Sequence, residues 1–158
     1  MPRTISTAGK QHLKQLEDLR TEVYLDSGGE PTIGIGHLLT RAERRSGKII
    51  IGQTVGDYRE GLTVDQCWQL LEQDLDPAEN AVENLVKLPL TDTQFDTLVS
   101  FTFNVGVEAF TGSTLLKKLN SGDYESVPAQ LRRWIFDNGQ AVQGLANRRE
   151  KEIDLWLS

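Results

Sequence analysis

The 158-residue chain has one cysteine, Cys67, so no internal disulfide can close and the fold must stand on packing alone. Folding in the cytosol is the simpler expectation. No apolar run approaches the roughly 20 residues that span a bilayer, and Met1-Pro2-Arg3-Thr4 leads straight into polar sequence. Neither a signal peptide nor a stable membrane association is expected. Basic charge is also short: 17 Lys+Arg against 23 Asp+Glu leave a net charge of -6, which excludes a protein held on nucleic acid by phosphate neutralisation. Two histidines without Cys-x-x-Cys or His-x-x-x-His spacing argue against a metal site, and no cofactor is expected.

What remains is an ordinary globular composition, 38% hydrophobic and 25% charged, which suits one compact domain. Leu13, Leu16 and Leu19 at helical spacing after Ser6 and Thr7 predict a first helix from Ala8 to near Arg20. Val23 to Asp26, the Ser27-Gly28-Gly29 turn and the β-branched Thr32 to Ile35 run predict a β-hairpin within Glu22 to Leu39. Residues 41–62 are rich in charge and glycine around Ile49-Ile50-Ile51, which reads as a further strand or an ordered loop.

The second half is helical. Thr63-Val64-Asp65-Gln66 has the spacing of a capping box before a long apolar-periodic stretch to Leu85, which Pro77 kinks or divides. Thr91-Asp92-Thr93-Gln94 repeats that spacing, as does Asn147-Arg148-Arg149-Glu150 ahead of a last helix. Ser113 to Asn120 and Tyr124 to Trp134 supply two more short helices. The class is α+β: a small β-hairpin lobe, about 20–62, joined by a long helix to a larger helical lobe, about 63–158 plus the N-terminal helix, within one domain over 1–158.

Glycoside hydrolysis needs a protonated carboxyl to donate to the leaving oxygen and an ionised one to activate water or attack the anomeric carbon. Glu17 at the end of the first helix and Asp26 on the first hairpin strand could share one wall across the chain reversal, with Thr32 holding a water beside Asp26. On spacing alone the alternative stands, that these are two of 23 acidic residues on a solvated face.

Glu17-x8-Asp26-x5-Thr32, followed by Ile33-Gly34-Ile35-Gly36-His37-Leu38-Leu39-Thr40, resembles the active-site segment of phage T4-type lysozymes, glycoside hydrolase family 24. Phe103-Asn104-Val105-Gly106, Ser113 to Leu116, Trp134, Gly144-Leu145 and Asn147 to Glu150 resemble that family's helical-lobe motifs in the same order. The resemblance implies a lysozyme-like fold with the active-site cleft between its lobes. It also implies hydrolysis of the β-1,4 bond between N-acetylmuramic acid and N-acetylglucosamine in bacterial peptidoglycan.

By the same resemblance Glu17 is the general acid, and Asp26 and Thr32 position the water, with inversion at the anomeric carbon. Arg148 matches an arginine that pairs with the catalytic glutamate, and His37 a histidine paired with an aspartate on the long helix, here Asp74. Gly36, Leu38, Phe103, Asn104 and Trp134 are the candidate substrate contacts, although Phe103 reads equally well as core.

Two departures stand out: many members have glycine where this chain has Asp18, and many are basic. The implied biology is a monomeric endolysin, made in the host cytoplasm and acting in the periplasm on the wall after a holin-type pore protein opens the membrane. The competing readings are a non-catalytic wall-binding or scaffolding module with the lysozyme fold, and, further off, a lytic transglycosylase.

Overall fold

The computed structural model describes Pro2–Ser158. In chain order it builds α1 (Thr7–Glu17), β1 (Arg20–Leu25), β2 (Pro31–Gly34), β3 (His37–Leu38), α2 (Arg41–Ser46), β4 (Lys48–Ile51), β5 (Thr54–Asp57) and α3 (Val64–Leu85). Then come α4 (Asp92–Val105), α5 (Val107–Thr111), α6 (Thr114–Asn120), α7 (Val127–Leu131), β6 (Phe136–Asp137), β7 (Gln140–Ala141) and α8 (Gln143–Leu157). Among the described residues no helix is long and apolar enough to cross a membrane.

The chain divides into two compact units, Gln11–Asp76 and the N-terminal residues through Lys10 with Pro77–Ser158. In the first, β1, β2 and β3 form an antiparallel sheet in that order, and β4 pairs with β5. In β2, Thr32, Ile33 and Gly34 are buried in succession, whereas in β4 the period-two pattern buries Ile49 and Ile51 and leaves Ile50 and its cross-strand partner Val55 outside. Gly34 lies on α3, where an added Cβ would sit 3.4 Å from Leu70 Cδ2. Leu13, Ile35, Cys67, Leu70 and Leu71 are buried in the same unit.

The second unit is built around α4. Phe95, Leu98, Val99 and Phe101 of α4 are buried, as are Phe110, Leu115, Leu119, Val127, Leu131, Ile153 and Trp156 of the later helices. Each such side chain contributes about 1.5–3 kcal/mol of burial free energy. The chain's start is tied into this unit by buried acids: Ile5 N donates to Glu79 Oε2 at 2.7 Å, and Ser6 N to Asp96 Oδ1 at 2.9 Å.

Helix starts follow the sequence where capping is local. Thr63 and Gln66 exchange bonds of 3.1 and 2.9 Å, Thr91 and Gln94 bonds of 3.2 and 2.9 Å, and Ser113 Oγ accepts from Leu116 N. Pro77 does not divide α3, which runs unbroken to Leu85.

Other boundaries differ. α1 stops at Glu17 rather than near Arg20, because Asp18 takes a left-handed conformation with φ 66°. Residues 41–62 hold not one strand or loop but α2 and the whole β4–β5 hairpin; α2 is opened by a Thr40–Glu43 capping box and has no buried residue. Asn147 to Glu150 lie inside α8, which starts at Gln143, so that motif is not a cap. Tyr124 to Trp134 is a 3-10 turn followed by α7, which ends at Leu131, and beyond it a β6–β7 hairpin turns on Asn138-Gly139.

Candidate active site

In the Gln11–Asp76 unit, Glu17 is the last residue of α1, and the chain reverses at Asp18 directly after it. Its carboxyl lies against the β2–β3 turn: a Cβ on Gly36, φ 71°, would fall 2.7 Å from Glu17 Oε2. Only glycine permits that approach without moving the acid.

Asp26 is not on the strand but one residue past it, at the head of the β1–β2 turn. Its Oδ1 accepts from Gly28 N at 2.9 Å and from Glu30 N at 2.8 Å. These bonds fix one carboxylate oxygen to the main chain. Thr32, buried on β2, donates its hydroxyl to Glu30 O at 2.9 Å, and that carbonyl also accepts from Asp26 N at 2.9 Å. Asp26 and Thr32 are therefore both anchored to the backbone of Glu30. With its proton committed, Thr32 Oγ1 can only accept from a further partner.

Register places Thr32 opposite Tyr24 on β1 and Leu38 on β3, so the three stand in one row across the sheet. Leu38 is exposed. Tyr24 was not singled out from the sequence; its place in this row comes from its pairing with Thr32. Burial and the Glu17 charge push its phenol pKa up, so it stays protonated; the Arg20 guanidinium, 4.9 Å from its ring centroid, works the other way.

His37 Nδ1 faces Asp74 Oδ2 at 2.7 Å and Nε2 faces Glu43 Oε1 at 2.9 Å. Burial opposes the charge, but hydrogen bonds and charges from Asp74 and then Glu43 outweigh it and hold the pKa up at about 9. The ring is thus an imidazolium donating from both nitrogens. Since Glu43 also caps α2, His37 links α2 to α3.

Asp18 is turned to solvent. Its carboxylate accepts from Leu19 N at 2.9 Å and from Arg20 Nε at 3.2 Å, which hold its pKa below the usual range.

Phe103, Asn104, Trp134 and Arg148 belong to the other unit. Arg148, buried on α8, donates from Nη2 to Ser100 O at 3.1 Å and from Nε to Glu152 Oε2 at 3.3 Å. Glu152 is fully buried and also accepts from Ser100 Oγ at 2.7 Å and from Arg149 Nη1. Arg149 in turn donates to Asn104 Oδ1 and, at 2.9 Å, to the carbonyl of Trp134. Its guanidinium stands 5.1 Å from the Phe101 ring centroid, and Phe101 meets Trp134 edge to face at 5.5 Å. Asn104, Trp134 and Arg148 thus share one network, whereas half-buried Phe103 has no part in its hydrogen bonds. Arg149, Glu152 and Ser100 were not singled out from the sequence; the i, i+3 and i, i+4 spacing of Arg149 and Arg148 to Glu152 was the available signal.

A family model for phage lysozyme matches residues 14–152. The endolysin of Salmonella phage P22 is 37% identical, covering 98% of this chain and 98% of its own, and the SAR-endolysin of Escherichia phage Mu is 40% identical over 93% and 77% respectively. Among solved structures, a P22 lysozyme mutant superposes with a TM-score of 0.78 at 34% identity, covering 99% of both chains. The endolysin of Escherichia coli phage FAHEc1 superposes with a TM-score of 0.81 at 33% identity, covering 99% of this chain and 94% of its own.

Proposed function

The chain belongs to the phage lysozyme family, and from that premise we propose that it is a muramidase cleaving the β-1,4 bond between N-acetylmuramic acid and N-acetylglucosamine in bacterial peptidoglycan. Glu17 gives its proton to the departing 4-oxygen while the C1–O4 bond breaks. A water held between Asp26 and Thr32 attacks C1 from the other face, gives one proton to Asp26 and donates its other hydrogen to Thr32 Oγ1. Inversion follows, and exchange with solvent returns both carboxyls to their starting states.

The observation that carries this reading is the common Glu30 anchor: it holds Asp26 and Thr32 as a pair, with the Thr32 proton already committed. Glu17 against Gly36 and exposed Leu38 beside Thr32 suit a saccharide on the same sheet. Arg148, steadied by Ser100 and Glu152, serves as a supporting cation for the reaction. Arg148→Ala then moves the acidic limb of the pH–rate profile; an unmoved limb removes that role.

Clearing of outer-membrane-permeabilised cells by wild type, reduced about 10²–10⁴-fold in Glu17→Gln, tests the main reading. A wild-type protein that binds walls without clearing them overturns it in favour of a scaffold, and anhydro sugar ends in the digest would mean transglycosylation. The reading includes release through a holin-type pore, so lysis on expression should require a co-expressed pore protein; lysis without one removes that dependence.

A further inference from the structure

The Arg149 guanidinium is placed where a simpler residue would serve if its task were only to neutralise Glu152. Arg148 already donates to Glu152, and so does Ser100. Arg149 spends its remaining donors elsewhere: Nη2 on the Asn104 amide and Nε on the Trp134 carbonyl. Phe101 fixes the guanidinium plane and touches the Trp134 ring, so one buried side chain locks both the exposed amide and the segment carrying the indole.

A guanidinium has donors and no acceptor. The Asn104 atom facing it must therefore be Oδ1, whichever way the amide might turn in isolation, and Nδ2 is left as the outward group. Asn104 is exposed and has no other hydrogen bond among the described residues, so both Nδ2 protons are open to a ligand. A site that offers only N–H donors selects an acceptor oxygen.

We propose that Arg149 is a positioning residue that locks Asn104 as a hydrogen-bond donor for an amide carbonyl oxygen of the substrate, either an N-acetyl group of the glycan or a peptide bond of its stem. Trp134, held by the same guanidinium, supplies the apolar wall beside it. This rests on the muramidase reading above and adds a specificity element to it.

Asn104→Asp is the discriminating variant. Aspartate keeps the acceptor for Arg149 and strengthens that bond, but has no N–H to offer. The melting temperature should hold or rise, while KM for intact peptidoglycan rises about three- to tenfold, the worth of one neutral hydrogen bond, with kcat little changed. That rise should persist at high salt, since a lost donor is not screened as charge repulsion is. Arg149→Lys, which keeps the charge beside Glu152 but loses the fork, should raise KM in the same direction.

Peptidoglycan stripped of stem peptides and peptidoglycan partly de-N-acetylated identify the source: the wild-type advantage over Asn104→Asp disappears on the substrate that lacks the recognised carbonyl. An unchanged KM in Asn104→Asp, an effect abolished by salt, or an advantage surviving on both altered substrates each overturns the proposal. An inactive wild type sinks the muramidase reading instead, so the two failures are distinct.

Discussion

Asp26 in one unit and Glu152 in the other are held in opposite ways. In Gln11–Asp76, Asp26 is held by main-chain N–H groups at the head of a turn, and Glu17 rests against glycine backbone. In the other unit Glu152 is surrounded by Arg148, Arg149 and Ser100, with all its bonds directed inward. Backbone anchoring fixes the Asp26 carboxylate in space through main-chain N–H groups. Arginine anchoring uses the acid itself as the fastener, and Arg149 carries its order outward to Asn104 and the Trp134 segment.

The sharpest break in this contrast is Asp26→Asn, which can still accept the turn N–H groups but cannot take a proton from water. Turnover should fall about 10²–10⁴-fold with melting little changed; normal turnover would remove Asp26 from the chemistry. Glu152→Ala should do the reverse, stranding two buried guanidinium groups and costing about 3–5 kcal/mol in denaturant titration. A loss under ~1 kcal/mol would show that the network is not needed for folding.

Gly36→Ala tests the backbone side: strain at φ 71° should cost about 1–2 kcal/mol, and displacement of Glu17 should slow turnover about tenfold or more. His37 gives a smaller, pH-dependent effect. Its folded pKa of about 9 lies above the unfolded value near 6.5, so its stabilisation is complete below pH ~6.5 and is lost as pH rises through about 9. Stability measured across that window should decline in wild type and flatten in His37→Asn. Last, Arg132→Ala breaks an exposed pair with Glu150 and should leave the denaturation midpoint almost unmoved.

How much of this was readable in advance depends on the range of the interaction. Thr63, Thr91 and Ser113 were legible because a cap is satisfied within three residues. Thr40-Arg41-Ala42-Glu43 has the same spacing, yet α2 was missed, because a helix with no buried residue has no apolar period to announce it. Asn138-Gly139 is a strong hairpin signal, but two-residue strands give no alternation to support it. The Glu17, Asp26 and Thr32 residues could be chosen from the sequence. The role of Glu30 as the shared anchor of Asp26 and Thr32 could not, since it acts through main-chain atoms that carry no side-chain signature. Arg149 and Asn104 are 45 residues apart, and only packing of α4 on α8 brings them together.

The left-handed Asp18 bears on how such a chain can vary over generations. Glycine would occupy that backbone without strain, whereas aspartate offsets part of the strain with its bonds to Leu19 and Arg20 and also narrows the freedom of the unfolded chain. The two residues are thus close to interchangeable in folding free energy. A substitution directly after Glu17 can therefore drift while the Glu17 carboxyl keeps its place against Gly36.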